Sequence, residues 1–534
     1  MPSFTYPELP LDGLLRRAAI RHPGRAALVT ESGTVDHAEL DDRADRIARY
    51  LEHTVGRREA AVGVANVLDP AFPAAFYGTV RGGSVAVLVN PLIREAVLHH
   101  VFAAAGIEVA FVPTATAELL VKLRESLPKL RTIVVTDAED GVVPADAVPL
   151  QAALDAVPEG PGGRRRGAAA PGAIACVQFT TGTTGRPKGV RLTHRNLVAN
   201  AAQTVHAHAL GPQSVTLNHL PLYHVMHLNS ALYAGATQIL CRDPDPVASL
   251  ALAARTGATH YYGLPARLHR LAADPRLEGR PEGVPAGPRL TAVLSGGNAL
   301  ADATARRLRD LLGVPVIQGY GLAELSPLSH SQRPGDGSRR GCVGPAVPGT
   351  ECRIVDLGTG EDVGVYATGE VHVRGPQLMA GYLDENEPSR TDADGWFATG
   401  DVGYLDEDGA LFLVDRLGDV FKHDNELVSP TAVERILAED PRVADCVVSG
   451  WPDPVHGAVV WAGIVMHEDA GQRWCSVLDI LDSITEKANA QLASFEQIRR
   501  VETLDAVPRT PVGKPRRLEL RQELRARAAA ESAA

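Results

Sequence analysis

The chain has 534 residues, of which 45% are hydrophobic and 22% charged, and its formal net charge is −11. Such a chain buries large cores, which excludes a disordered or fibrous protein, and its length predicts about two to four domains. The acidic balance argues against a protein that coats nucleic acid. The six cysteines form no C-x-x-C pair, which argues against a disulfide framework or a zinc site and favours a reducing compartment.

No targeting or membrane-spanning segment is predicted. Residues 1–13 lack the basic region and apolar core of a secretory signal. No apolar run reaches the roughly 18 residues of a transmembrane helix. The sequence therefore predicts a cytoplasmic protein without a membrane span or a nucleic-acid partner, and it leaves the oligomeric state open.

Short apolar strands alternate with amphipathic helices over the first ~410 residues, which is typical of parallel sheets of the α/β class. Strands are predicted at 60–66, 84–90, 109–113, 131–137, 291–297 and 314–321, and helices at 37–53 and 301–313. Stretches rich in glycine, proline and arginine predict exposed loops at 158–172, 275–288 and 333–341.

After residue 415 the pattern restarts as a smaller α+β domain. Helices are predicted from Ser429-Pro430 and around 475–493, and strands at 443–450, 458–466 and near 498–504. The last residues, 521–534, predict a frayed helical tail.

Lysine is rare in this chain. Of 53 basic residues only six are lysines, so a retained lysine suggests a need for a compact ammonium, although chance explains any single one equally well. The six are Lys122, Lys129, Lys188, Lys422, Lys487 and Lys514.

The strongest local signal is the segment 179–190, FTTGTTGRPKGV, between an apolar strand and a helix. Its glycines let the backbone approach a ligand closely, its hydroxyls donate to oxyanions, and its lysine adds a positive charge. These features predict a polyphosphate cradle that is not a Walker A loop, because G-x-x-x-x-G-K-[ST] does not fit it. The residues are Thr180, Thr181, Gly182, Thr183, Thr184, Gly185 and Lys188.

This segment resembles the phosphate loop of the adenylate-forming superfamily, which includes acyl- and aryl-CoA synthetases, peptide-synthetase adenylation domains and luciferase. Similar segments follow in the family's order at 221–240, 295–300, 318–324, 369–383, 396–409, 415–422 and 509–517. The resemblance implies an N-terminal adenylation domain at 1–415, built of parallel and mixed sheets flanked by helices plus a distorted β-barrel subdomain. It also implies a hinge at 416–418 and a small mobile α+β C-terminal domain at 419–534 that carries a catalytic lysine.

The resemblance also assigns nucleotide-binding residues. Glu324 is expected to hold Mg2+ against triphosphate oxygens, unless it is a solvated loop glutamate. Tyr320, between Gly319 and Gly321, offers an aromatic face to a purine or packs in the core. Asp401 accepts hydrogen bonds from ribose hydroxyls, and Arg416 reaches the ribose or a phosphate or forms an interdomain salt bridge.

The implied reaction has two halves. A carboxylate attacks the α-phosphate of ATP to give an acyl-adenylate and pyrophosphate, and a thiol such as coenzyme A then displaces AMP. Lys514, in a Pro/Gly loop, is expected to stabilise the negative charge that develops at phosphorus. The other catalytic candidates are Thr183, Lys188, His224, Glu324 and Lys422.

The acid pocket is also implied by the resemblance. Its polar and aromatic residues favour a small aryl or acyl acid over a long fatty chain, unless His260, Tyr261 and Tyr262 face the core. The expected lining residues are His224, Met226, Tyr262, Gly263, Gly296, Gly297 and Asn298.

Several positions depart from the family pattern. Ala323 replaces a hydroxyl residue, Gly418 stands at the hinge, Leu427 replaces an amide, and Asp424 and Asn425 replace the glycine pair along which pantetheine passes. These departures are compatible with adenylation, but they leave the acceptor undecided between coenzyme A, a carrier protein and an amine. A further alternative, as in diazotases, is that nitrite is activated and then reacts with an aryl amine. A catalytically silent nucleotide-binding homologue is a further alternative.

Overall fold

The computed structural model describes residues 4–66, 68–138, 142–158, 169–180, 187–277, 289–333, 339, 341–424, 426–467, 476–509 and 515–533. The chain divides into two compact units, residues 1–352 with 373–397 and residues 353–372 with 398–534. The boundary at 415 and the hinge at 416–418 stay predictions. The predicted loops at 158–172, 275–288 and 333–341 lie largely outside the described residues.

The first unit alternates strands and helices, as the sequence predicts. Its helices are α1 (Gly13–Arg21), α2 (His37–Thr54), α3 (Ala71–Arg81), α4 (Glu95–Ala105), α5 (Thr114–Leu123), α6 (Leu150–Asp155), α7 (His194–Ala207), α8 (Met226–Ala234), α9 (Pro246–Thr256), α10 (Pro265–Ala272) and α11 (Asp302–Leu312). Its strands are β1 (Ala26–Thr30), β2 (Gly33–Asp36), β3 (Ala61–Ala65), β4 (Val85–Val89), β5 (Val109–Val112), β6 (Thr132–Val135), β7 (Ala147–Pro149), β8 (Ile174–Thr180), β9 (Lys188–Thr193), β10 (Val215–Asn218), β11 (Thr237–Leu240), β12 (His260–Gly263), β13 (Ala292–Ser295), β14 (Val316–Gly321), β15 (Leu328–Ser331) and β16 (Cys342–Pro345).

All of these strands except β16 build two mixed sheets. One has the order β7-β6-β5-β3-β4-β8-β9 and is parallel except for the β8/β9 pair. The other has the order β15-β14-β13-β12-β10-β11-β1-β2 and is parallel except at its two edge pairs. Strand β5 is buried along its whole length, as expected of a parallel strand covered on both faces. The predicted α/β class is confirmed.

Helix α2 illustrates how local sequence sets this packing. The Asp36 side chain caps the helix by accepting a 2.8 Å hydrogen bond from the Glu39 amide. Leu40, Ala44, Ile47 and Leu51 recur at helical spacing and are all buried. The partner helix α3 approaches closely because it carries glycine at position 78, where a Cβ would lie 2.7 Å from Ile47.

The second unit contains the remaining helices and nearly all of the remaining strands. Its helices are α12 (Pro430–Leu437), α13 (Val477–Asn489) and α14 (Arg517–Ala533). The strands are β17 (Glu351–Val355), β18 (Gly369–Arg374), β19 (Phe397–Leu405), β20 (Ala410–Arg416), β21 (Phe421–His423), β22 (Glu426–Val428), β23 (Val443–Asp453), β24 (Gly457–Met466) and β25 (Ile498–Thr503).

Strands β17 to β20 lie in one sheet in the order β20-β19-β18-β17, and its closure as a barrel stays a prediction. Strands β21 and β22 form a separate hairpin. Strands β23, β24 and β25 form a three-stranded sheet that packs with helices α12 and α13, which confirms the small α+β domain.

The last residues are helical, as predicted, but the helix is packed against the sheet where the sequence predicted a frayed tail. The last segment forms helix α14, and its Leu524 (0% exposed) and Ala528 (7% exposed) pack with Trp451 and Trp461 of the neighbouring hairpin. Burying a leucine contributes about 1.5–3 kcal/mol, which holds the helix against the sheet. Among the described residues, no helix combines the length and the apolar character needed to cross a bilayer.

Candidate functional site

Two predicted acid-pocket segments and one predicted nucleotide-binding segment leave the second sheet of the first unit at one edge. Strands β12, β13 and β14 are parallel neighbours, with Gly263 opposite Ser295 and Ser295 opposite Gln318. The segments Gly296–Asn298 and Gly319–Gly321 therefore follow or end adjacent strands at their carboxyl ends. Open α/β sheets bind ligands at such an edge.

Two glycines at this edge are required by the backbone. A Cβ at Gly321 would lie 1.9 Å from the Pro327 carbonyl oxygen, so only glycine lets β14 pass so close to the chain that returns as β15. Gly297 has a φ of +86°, which L side chains rarely adopt. The neighbouring Asn298 is exposed.

Tyr262 lies between two buried histidines. Its hydroxyl is 3.0 Å from Nδ1 of His208, and its ring centroid is 4.1 Å from that of His227. Burial raises the pKa of Tyr262 and lowers the pKa of both histidines to about 3, so all three side chains are neutral at pH 7.

The alternative that these side chains face the core holds for His260 and Tyr261, which precede Tyr262 in β12. Tyr261 hydrogen-bonds to Ser249 at 2.7 Å within an apolar cluster, and Nε2 of His260 donates to the His208 carbonyl at 2.9 Å. Tyr262 points to the opposite face from Tyr261, because successive side chains alternate, and there it is also buried, in a smaller apolar cluster with Leu294 and Ile317.

His224 and Met226 flank the start of helix α8. Nε2 of Gln178, in strand β8 of the other sheet, donates a 3.2 Å hydrogen bond to Nδ1 of exposed His224. Met226 packs against a small apolar cluster that includes Ala207 and Leu328. His224 thus links the two sheets near the carboxyl end of β8, whereas Met226 contributes to packing.

The hydroxyl-rich loop is closed at its base by Thr180 and Lys188, which lie opposite each other in β8 and β9. Nζ of Lys188 forms an ion pair with Glu387 and lies 5.7 Å from the ring centroid of Tyr382. The predicted phosphate ligands Thr181, Gly182, Thr183, Thr184 and Gly185 lie outside the described residues.

Tyr382 connects this lysine to the predicted metal ligand. Its hydroxyl donates to Oε1 of Glu324 at 3.0 Å, and the Met379 amide donates to the Glu324 carbonyl oxygen at 2.8 Å. Burial and the Glu324 charge raise the pKa of Tyr382, which therefore stays a hydrogen-bond donor. Lys188, Tyr382 and Glu324 form a row of cation, phenol and carboxylate, which we call the Lys188 row.

The sequence did not single out Tyr382 or Glu387. Tyr382 lies inside the family-like segment 369–383, so a search for polar residues in that segment would have found it. Glu387 carries no comparable local signal. Tyr320, by contrast, is buried with its ring centroid 5.9 Å from that of His330, so packing and a purine-facing role both fit it.

In the second unit, Asp401 and Arg416 lie opposite each other in β19 and β20. Oδ1 of Asp401 is 3.0 Å from Nε of Arg416, and the aspartate side chain is 7% exposed whereas that of the arginine is 47% exposed. Both partners belong to the same unit. The pair therefore presents a buried carboxylate behind an exposed guanidinium.

Other predicted residues of the second unit lie nearby in the chain. Lys422 is exposed on β21. Gly418 is exposed, has no positive φ and has open space where a Cβ would be, so the observed backbone does not require glycine there. Asp424 has a φ of +50°, a left-handed conformation that suits the glycine it replaces. Asn425 and Lys514 lie outside the described residues.

Comparison with known proteins assigns sequence families to both parts of the chain. The pattern of the AMP-binding enzyme family matches residues 15–383, and that of the AMP-binding enzyme C-terminal domain matches residues 432–514. A 4-coumarate–CoA ligase of Oryza sativa subsp. japonica is 31% identical over 517 residues, covering 92% of this chain and 87% of the ligase.

Two solved structures are also similar over nearly their whole length. An anthranilate CoA ligase in complex with anthranoyl-AMP has a TM-score of 0.84 and 25% identity, covering 98% of this chain and 99% of the other. An amide bond synthetase from Marinactinospora thermotolerans has a TM-score of 0.82 and 27% identity, covering 96% and 99%.

Proposed function

Because the chain belongs to the AMP-binding enzyme family, we propose that it is an ATP- and Mg2+-dependent ligase for a small aryl or acyl acid. It forms an acyl-adenylate with release of pyrophosphate and passes the acyl group to an acceptor, most simply coenzyme A. The observation that carries the proposal is the Lys188 row, which sets a cation and a carboxylate beside the base of the hydroxyl-rich loop.

In the first half-reaction, a carboxylate oxygen of the acid attacks the α-phosphorus of ATP. The bond from that phosphorus to the bridging oxygen breaks, and pyrophosphate leaves with both electrons of the bond. Lys188 and the loop hydroxyls, including Thr183, bind the leaving group, which requires Lys188 to give up its ion pair with Glu387. Lys514 supplies positive charge at the α-phosphate, where negative charge grows in the transition state.

Glu324 fits the role of a Mg2+ ligand. It offers a hard oxygen donor, and the Tyr382 hydroxyl and the Met379 amide fix its side chain and its backbone. When bound there, Mg2+ would neutralise charge on the triphosphate. Asp401 and Arg416 are proposed to bind the ribose, Tyr320 the purine, and Lys422 the adenylate.

The surroundings of Tyr262 support a small polar acid. Nδ1 of His227, whose ring contacts that of Tyr262, is buried without a hydrogen-bond partner among the described residues. Such an atom costs about 1–3 kcal/mol unless a ligand or water satisfies it, and an aliphatic chain would not do so. An aryl acid with a polar substituent, such as the anthranilate named for one structural relative, would supply a partner for it.

A second acceptor class is favoured by one departure from the family pattern. The exposed Asp424 places a side chain and a charge where the resemblance expects a glycine beside pantetheine. The similarity to an amide bond synthetase points the same way, towards an amine. A carrier protein and nitrite are the remaining candidates.

The test separates the two half-reactions. Purified protein is mixed with ATP, Mg2+ and a panel of aryl and short acyl acids, and pyrophosphate is measured without an acceptor. The active acids are then combined with coenzyme A, amines or nitrite, and products are identified by mass spectrometry. Acid-dependent pyrophosphate release supports adenylation. Stoichiometric ATP binding without pyrophosphate exchange on any acid overturns it in favour of a silent homologue, and turnover with coenzyme A alone excludes the other acceptors.

A further inference from the structure

Two hairpins of the second unit bring two histidines and an aspartate together. His423 and Asp424 come from the β21–β22 hairpin, and His456 from the turn between β23 and β24. One ligand atom from each lies within 4.8 Å of those of the other two. We propose that these three residues, here called the His-Asp-His cluster, bind a divalent transition-metal ion of the Zn2+ type.

The spacing of the donor atoms suits such an ion. Nε2 of His423 is 3.7 Å from Oδ2 of Asp424, and Nδ1 of His456 is 2.7 Å from Oδ1 of Asp424. Ligand atoms about 2.0–2.1 Å from a tetrahedral Zn2+ lie roughly 3.4 Å from one another. The two observed distances, one to each oxygen of Asp424, lie on either side of that value, and one donor atom from each of the three residues lies within 4.8 Å of the others.

The surrounding hydrogen bonds hold the donors in place. Nδ1–H of His423 donates to the Ala458 carbonyl oxygen at 2.7 Å, which leaves the lone pair of Nε2 facing Asp424. A backbone carbonyl on the second ring nitrogen is the usual support of a metal-binding histidine. His423 is buried, so this orientation is fixed by packing as well.

The other two donors are fixed by their backbones. The Asp424 amide donates to the His456 carbonyl oxygen at 3.1 Å, which ties the two hairpins together. The Asp453 carboxylate accepts hydrogen bonds from the amides of Val455 and His456 at 2.9 and 2.8 Å. The cluster is therefore largely preorganised.

The donor set also indicates the kind of ion. Two imidazoles and one carboxylate match borderline ions such as Zn2+ and Co2+, whereas Mg2+ and Ca2+ prefer oxygen donors alone. Three protein ligands leave at least one coordination position to water or another donor.

The experiment measures metal binding directly. Full-length protein without a histidine tag is freed of metal with a chelator and titrated with Co2+, followed by visible absorption, and then with Zn2+ in competition. We expect about one equivalent of Co2+ per chain, displaced by Zn2+ and without the intense thiolate charge-transfer band that a cysteine site would give.

Variants locate the ion. His456→Gln and Asp424→Asn are expected to weaken Co2+ binding at least tenfold, since each replaces a strong donor with a weaker neutral amide. Asparagine still tolerates the left-handed backbone at position 424. His467→Gln changes an exposed histidine of the same unit and serves as the matched control. Thermal melts verify that each variant folds. Absence of Co2+ binding in the wild type, or equal binding by the wild type and both cluster variants, overturns the proposal.

Discussion

The β8–β9 hairpin and the β21–β22 hairpin each carry a lysine, but in opposite surroundings. Lys188 is half-buried, pairs with Glu387 and lies over Tyr382. Lys422 is exposed, and the chain just beyond it places Asp424 where the family pattern has glycine. The first hairpin keeps the features expected of adenylation, whereas the second has diverged beside the expected path of the acceptor. We therefore expect substitutions in the first hairpin to affect activation of the acid, and substitutions in the second to affect which acceptor reacts.

The largest expected effect concerns Lys514, the lysine proposed to act in the first half-reaction. Lys514→Ala is expected to lower pyrophosphate release by roughly a thousandfold or more, because it removes the positive charge proposed to stabilise the transition state at the α-phosphate. ATP binding, measured by calorimetry, should persist. Lys487→Ala is the control, since the Lys487 side chain is 66% exposed and its partner Asp440 is also held by Arg442. Undiminished pyrophosphate release by Lys514→Ala would contradict the proposed role.

The carboxylate of the Lys188 row is expected to give the next largest effect. Glu324→Gln should lower pyrophosphate release by about a hundredfold and raise the Mg2+ concentration needed for half-maximal rate, because it removes a charged oxygen ligand. Tyr382→Phe keeps the carboxylate and loses one hydrogen bond, so its loss should be about tenfold. A Mg2+ requirement that stays unchanged in Glu324→Gln would assign the glutamate a merely structural role.

The β21–β22 hairpin is expected to control which acceptor reacts with the adenylate. Asp424→Gly should raise the ratio of coenzyme A turnover to acceptor-free pyrophosphate release by about tenfold, because glycine fits the φ of +50° and removes a side chain and a charge. The assay uses chelator-treated protein, so that metal binding does not contribute. Glu426→Ala, which removes a neighbouring exposed charge, is the control. An unchanged ratio would mean that Asp424 does not obstruct coenzyme A.

Local patterns made much of the fold predictable. Strands β3 to β6 and helices α2 and α11 have continuous apolar runs or helical apolar spacing, which depend only on neighbouring residues. The packing of helix α14 was not predicted, because the burial of Leu524 depends on tryptophans in the β23–β24 hairpin, which is distant in the sequence.

Contacts between residues distant in the sequence also limited what could be predicted of the site. The hydroxyl-rich loop and Glu324 carry local motifs, so the sequence could place them. The partners Lys188 and Glu387 are 199 residues apart, and Asp424 and His456 are 32 apart. Such pairs form only when the chain has folded, and a single sequence contains no spacing that marks them.

The smallest expected effect tests the ion pair that ATP must displace. Glu387→Gln frees Lys188 without removing it, and such a partly exposed pair is worth about 0.2–1 kcal/mol, so the KM for ATP should fall by about twofold to fivefold with kcat nearly unchanged. Glu385→Gln, at an exposed position two residues earlier, should change neither parameter. A higher KM in Glu387→Gln would indicate that Glu387 positions Lys188 for the phosphates rather than competing with them. The sign of this change thus decides whether the Lys188 row is already set for the nucleotide or must be released by it.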